Sequence, residues 1–236
     1  MLKILALGNS FSCDCTTYLD RVANGLFVRN LFIGGCSLEG HIDKIQNKKA
    51  WYEYQAQGVK IGTETVSAND IIASEDWDYI TVQQASHHSG MYETFDPHLT
   101  EILDFIKKTC PKAKIIWHQT WSYSTTSDHP GFANYERNQD LMWSKIKECS
   151  YRAVEDHGIE GMIKVGEAIQ ALRHEPTPDG TEFCRDGFHL SYDYGRYAGA
   201  YVWAKFFGTE LTDFVPEGAD PARIADIRRV IDALQS

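Results

Sequence analysis

The chain has 236 residues, 43% hydrophobic and 24% charged, enough apolar side chain for one sizeable core, and no linker-like stretch divides it, so one domain over 1–236 is expected. Its formal net charge is −10, and basic residues cluster no further than pairs such as Lys48-Lys49 and Lys107-Lys108, which leaves no cationic face for nucleic acid or an anionic membrane. No apolar run reaches the roughly 20 residues that span a bilayer.

In chain order, apolar strand-like runs alternate with amphipathic stretches. The runs are Leu2 to Leu7, Phe27 to Ile33, Asp78 to Val82, Ala113 to Trp117 and a weaker one at Gly161 to Val165. Helices are expected at Thr16 to Asn24, Ser67 to Ala73, Pro97 to Thr109, Tyr135 to Asp156, Ser191 to Phe207 and Pro221 to Leu234. Asp96 is the expected cap before Pro97, and Pro111 stops the helix ahead of the fourth strand. Alternation around Gly58 and Gly62 in Trp51 to Thr65 reads as a small appended hairpin. Strands alternating with helices imply a parallel sheet covered on both faces: an α/β fold, a three-layer α/β/α sandwich with five parallel strands. Ligands of such sheets bind at the carboxyl ends of the strands. The stretch Thr120 to Asn134, with Pro130-Gly131, is the expected loop walling that site.

Ser10 lies in Gly8-Asn9-Ser10-Phe11-Ser12, where the first strand turns into a helix, and this presents a hydroxyl beside free backbone N–H groups. Far along the chain, Arg185-Asp186-Gly187-Phe188-His189-Leu190-Ser191 puts a carboxylate and an imidazole three residues apart. A carboxylate on one imidazole nitrogen fixes the tautomer, and the other nitrogen is then free to deprotonate a serine. Gly35-Cys36-Ser37 offers a rival nucleophile in Ser37, but its paired glycines Gly34-Gly35 suit a backbone oxyanion donor better.

Gln83 and Gln84 end the third strand, and period-two alternation lets at most one of them point into the site as an amide donor. His87 and His88 follow as rival bases or as a metal pair lacking a third ligand at recognisable spacing. His118 and Trp121, after the fourth strand, are expected to line the cleft with Gln84 and His87; Trp121, Tyr123 and Tyr92 are aromatic enough to stack on a sugar ring.

The cysteines are Cys13, Cys15, Cys36, Cys110, Cys149 and Cys184, without a CxxC pair, and read as free thiols; Cys13 and Cys15 near Ser10 could instead be oxidised or take a soft metal. The N-terminus opens on a strand and not on an export signal, which points to the cytoplasm, or to the periplasm or exterior if a leader has been trimmed.

These blocks resemble, in order, those of the SGNH hydrolase superfamily, the GDSL-like esterases and lipases. The resemblance implies the flavodoxin-like fold of that superfamily, with Ser10 as nucleophile, Gly35 as second oxyanion donor, and Asp186 and His189 as the D-x-x-H block. The usual G-x-N-D is absent. Some carbohydrate-esterase branches of the superfamily carry a glutamine at that strand end, which by resemblance points to Gln83, with Gln84 in reserve. More narrowly the chain is similar to an uncharacterised bacterial family of the DUF4886 type. The expected activity is cofactor-free and metal-free hydrolysis of a small-molecule or carbohydrate ester with a short acyl group. A silent carbohydrate-binding or regulatory protein on the same fold is the alternative.

Overall fold

The computed structural model describes residues 1–174 and 182–234. Strand β1 (Leu2–Gly8) leads into two short helices, α1 (Ser10–Thr16) and α2 (Leu19–Val22), and then β2 (Leu26–Phe32). The helix expected from Thr16 therefore starts six residues earlier, at Ser10. The reason is local: the Asn9 side chain accepts the Phe11 N–H at 3.0 Å and caps the helix there. Thr16 and Thr17 then hydrogen-bond back to the carbonyls of Ser12 and Cys13, where the helix ends.

Helix α3 (Leu38–Gln46) follows, then strands β3 (Ala50–Ala56), β4 (Val59–Lys60) and β5 (Val66–Ser67). β3 and β4 form an antiparallel hairpin, with Ala56 opposite Val59. Gln57 and Gly58 both have positive φ, 53° and 70°, as a tight hairpin turn requires. The rest comprises α4 (Ala68–Ala73), β6 (Tyr79–Val82), α5 (His98–Thr109), β7 (Lys114–His118), α6 (Gln139–His157), β8 (Met162–Ile163), α7 (Val165–Leu172), α8 (Tyr194–Phe206) and α9 (Pro221–Leu234). Helices α3 and α7 lacked a counterpart in the sequence pattern. Asp96 does not cap α5 as expected; its Oδ1 accepts from the Thr100 hydroxyl.

All five expected strands pair in parallel, in the order β2-β1-β6-β7-β8, and the hairpin extends this sheet antiparallel from β2. Alternation along β1 divides the core. Ile4 and Ala6 join the apolar cluster under α1, α2, α7, α8 and α9, while Leu5 and Leu7 join the cluster under α3, α4 and α5. In β6 the same rule sends Ile80 and Val82 toward the second cluster. Among the described residues no helix is long and apolar enough to cross a membrane.

Candidate active site at the carboxyl ends of the strands

A cleft of about 530 Å³ opens where β1, β2 and β6 end. Ser10, Gly34, Gly35, His87 and His189 line it, together with Phe32, Ser86, His129, Pro130, Gly131 and Phe188. Ser10 is the first residue of α1, so its N–H has no intrahelical acceptor. Gly35 is left-handed, with φ 63°, a conformation that favours glycine. Neither the Ser10 N–H nor the Gly35 N–H is hydrogen-bonded among the described residues, so both remain available to a ligand.

The Asp186 and His189 side chains meet directly. Asp186 Oδ2 lies 2.6 Å from His189 Nδ1, while Oδ1 accepts the backbone N–H groups of His189 at 2.8 Å and Phe188 at 3.3 Å. Partial burial works to raise the Asp186 pKa, but the His189 side-chain and backbone hydrogen bonds outweigh it and hold the carboxyl below its usual value. An ionised acceptor at Nδ1 puts the imidazole proton there, so Nε2 is the basic nitrogen. The turn between the two residues depends on Gly187: its φ is 86°, and a Cβ there would lie 2.8 Å from Ser127 Cα. The His189 ring packs edge-on to Phe11, the neighbour of Ser10, with centroids 6.2 Å apart. Ser10 Oγ makes no hydrogen bond to a described residue.

The rival serine serves another purpose. Ser37 Oγ accepts the Gly40 N–H at 3.2 Å and caps α3. His87 does line the cleft, and burial, then His88 and His129, push its pKa down to about 4, so it is neutral at pH 7. The loop expected as a wall contributes His129, Pro130 and Gly131. His129 Nδ1 accepts the Gly131 N–H at 3.0 Å, and burial followed by the nearby His189 lowers its pKa. A glycine-proline pair in a long loop was the available signal for this segment; that its histidine faces inward was not readable from the sequence.

Gln84, His118 and Trp121, expected as cleft-lining residues, are instead enclosed, at 1%, 0% and 0% exposure. Gln84 points to the opposite face from Gln83, as alternation requires. Its Oε1 accepts from the N–H groups of Leu38 and Ala85, and its Nε2 donates to the carbonyl and hydroxyl oxygens of Thr94. Trp121 stacks on Phe11 with centroids 3.9 Å apart, and its Nε1 donates to the Phe188 carbonyl, so it supports the site from behind. His118, kept neutral by burial down to about pH 3, lies beneath Gln83.

Gln83, expected as the third oxyanion donor, is 1% exposed and does not line the cleft. Its Oε1 is 2.6 Å from His118 Nδ1, and its Nε2 donates to Asn9 Oδ1 at 2.8 Å. The chain continues at the far side of His118, whose Nε2 is 3.7 Å from the Cys15 thiol. Since a neutral imidazole that donates from Nδ1 accepts at Nε2, the Cys15 S–H is the donor of that contact. Asn9 passes the support upward, accepting from Phe11 N–H and donating to the Cys36 carbonyl at 3.1 Å. Thus a buried relay orients the turn that carries Ser10, and sequence reading assigned none of these contacts.

All six cysteines are free thiols, and among the described residues no group of three His, Cys, Asp or Glu side chains is placed to hold a metal ion.

Comparison with known proteins places the fold. The family model described as a domain of unknown function, DUF4886, matches residues 3–229. The crystal structure of a DUF4886 family protein from Bacteroides uniformis ATCC 8492 is similar at 35% identity and TM-score 0.90, over 99% of this chain and 95% of that one. A putative GDSL-like lipase from Parabacteroides merdae ATCC 43184 shares the fold at 13% identity and TM-score 0.57, covering 88% and 95% of the two chains. An acetyl xylan esterase from Geobacillus stearothermophilus does so at 15% identity and TM-score 0.55, over 89% and 96%. No functionally curated protein matched the chain.

Proposed function

The chain belongs to the DUF4886 family, on a fold shared with ester hydrolases, and for it we propose the activity of a serine esterase. The observation that carries the reading is the Asp186 and His189 pair, 2.6 Å apart, opening on the same cleft as Ser10 and two unpaired backbone N–H groups. Ser10 Oγ attacks the ester carbonyl as His189 Nε2 takes its proton, and Asp186 stabilises the imidazolium formed. The carbonyl oxygen, now anionic, receives the N–H groups of Ser10 and Gly35. Collapse expels the alcohol, which takes the proton from His189. Water then attacks the acyl-enzyme with His189 again as base, releasing the acid and restoring Ser10. Gln83, enclosed and with its Nε2 donating to Asn9, stays outside this oxyanion site.

The cleft supports an uncharged substrate. Among the described residues no lysine, arginine, aspartate or glutamate lines it, His87 is neutral at pH 7, and Phe32, Pro130 and Phe188 give it apolar walls. A short acyl group, such as acetyl on a carbohydrate, fits these walls. The test uses a short-chain nitrophenyl ester and a fluorophosphonate label. Wild type should turn over the ester and take one label on Ser10, and Ser10→Ala should lose both, by about 10⁴-fold or more in turnover. Activity retained by Ser10→Ala refutes the assignment. A silent carbohydrate-binding protein is the second reading, favoured by the enclosed Gln83, since the usual third donor is then not presented to a ligand. Binding of an acetylated sugar without label or turnover would establish it.

A further inference from the structure

We propose that Asp14 is a positioning residue that clamps the loop carrying Asp186 and His189 onto the helix that begins at Ser10, and so sets the approach of His189 to the Ser10 hydroxyl. For its kinetic test this rests on the esterase reading; its spectroscopic test stands without that reading.

Asp14 lies on α1, four residues after Ser10, and is 1% exposed. Its carboxylate gathers groups from both ends of the loop. Arg185, at the start, donates through Nη1 to Oδ1 and Oδ2 at 3.0 and 3.1 Å, and Leu190, at the end, donates its N–H to Oδ2 at 2.9 Å. Arg196 of α8 donates through Nε to Oδ1 at 2.8 Å. The loop is also closed on itself: Arg185 N–H donates to the His189 carbonyl at 2.9 Å, Cys184 bridges Leu190, and Arg185 Nη1 donates to the Leu190 carbonyl. Asp14 thus holds both stems of a narrow hairpin whose tip is Asp186 to His189.

The chemistry of the clamp demands a carboxylate. A buried carboxylate facing two guanidiniums and a backbone N–H satisfies all of them, whereas a carboxamide of the same shape has one acceptor oxygen and leaves a buried positive charge uncompensated. The two guanidiniums are also covered on the outer side, where Tyr192 packs against them at 4.7 and 4.8 Å. This argues that they serve Asp14 and not an anionic ligand. Because Ser10 and Asp14 share one short helix, a shift of the hairpin against α1 changes the separation of His189 and Ser10 directly. A misplacement near 1 Å can cost about 10²-fold in rate.

The test compares Asp14→Asn with wild type as full-length chains. Hydrolysis of a short-chain nitrophenyl ester should lose about 10²-fold in kcat, with KM changed by less than about threefold. In proton NMR, the downfield His189 Nδ1–H signal of the Asp186 bond should move or broaden. A kcat and a His189 signal both like wild type would overturn the clamp. If wild type proves inactive, the esterase reading fails and the His189 signal alone decides the clamp. If Asp14→Asn does not fold, Arg185→Gln and Arg196→Gln replace it, since each removes one ion pair of Asp14. The clamp requires the kcat loss in Arg185→Gln to exceed that in Arg196→Gln by about tenfold, because only Arg185 sits on the hairpin. Equal losses mean that Asp14 is an ordinary tie between helices.

Discussion

Two clefts of nearly equal volume lie at opposite ends of the parallel strands, about 530 Å³ at the carboxyl ends and about 500 Å³ at the amino ends. Their linings differ in kind. The amino-end cleft is bordered by Lys3, Glu75, Asp76 and Lys112, beside residues where α4 and α5 finish. The carboxyl-end cleft is bordered by two serines, three imidazoles and glycines, near where α1 and α3 begin. A helix start supplies unpaired N–H donors and a helix end supplies unpaired carbonyls. In a parallel sheet every βα connection leaves at one end, so donors suited to an oxyanion collect there and acceptors collect at the other. Volume therefore does not mark the candidate site here; strand direction does.

The largest effect that would sharpen this contrast, after loss of Ser10, is expected from Asp186→Asn. The amide can donate to Nδ1 and stabilise the wrong tautomer, so kcat should fall by roughly 10²-fold or more with little change in KM. Steady-state kinetics of ester hydrolysis check it, and an unchanged kcat would remove Asp186 from the mechanism.

A second test concerns the polar floor of the site. His118 and His41 are fully buried, and burial lowers both pKa values to about 3; for His41, nearby Lys44 adds to the effect. Below about pH 6.5 the unfolded chain takes up protons that these folded imidazoles refuse, so stability present at neutral pH is lost as pH falls toward 3. The slope should be about 1.4 kcal/mol per pH unit for each histidine. Urea unfolding between pH 7 and 4 measures it, and His118→Gln should take about 1.4 kcal/mol per pH unit off the slope. A curve unaffected by that change would mean that His118 is not held neutral beneath Gln83.

The smallest effect belongs to the amino-end cleft. Lys112 and Asp76 are 82% and 88% exposed with charged atoms 3.9 Å apart. Lys112→Ala should leave ester hydrolysis within about twofold of wild type, since an exposed pair contributes little. A large loss of turnover would break the comparison by giving the second cleft a part in the chemistry.

Much of the architecture was legible because its causes are local. Runs of apolar residues gave all five parallel strands, and the Gln57-Gly58 turn lies inside the segment expected as a hairpin. Asp186 and His189 were found as a pair because they are three residues apart, so one glycine turn suffices to join them. The start of α1 was also written locally, in Asn9, although the apolar pattern alone pointed to Thr16.

Facing and distance were decided elsewhere. Gln84, His118 and Trp121 have the polarity or aromaticity of site residues, yet the packing of α8, Phe11 and the residues around Thr94 encloses them. His129 and Phe188 line the cleft from segments the sequence pattern did single out, but that these two side chains face inward was not readable there. Asp14 meets Arg185 and Arg196 across separations of 171 and 182 residues. The amino-acid sequence by itself determined the strands, the glycine turns and the carboxylate-imidazole pair, since these follow from backbone preference and near neighbours. Only the tertiary structure decided which polar groups reach the cleft and which are spent beneath it, because burial and hydrogen-bond satisfaction depend on what the rest of the chain brings alongside.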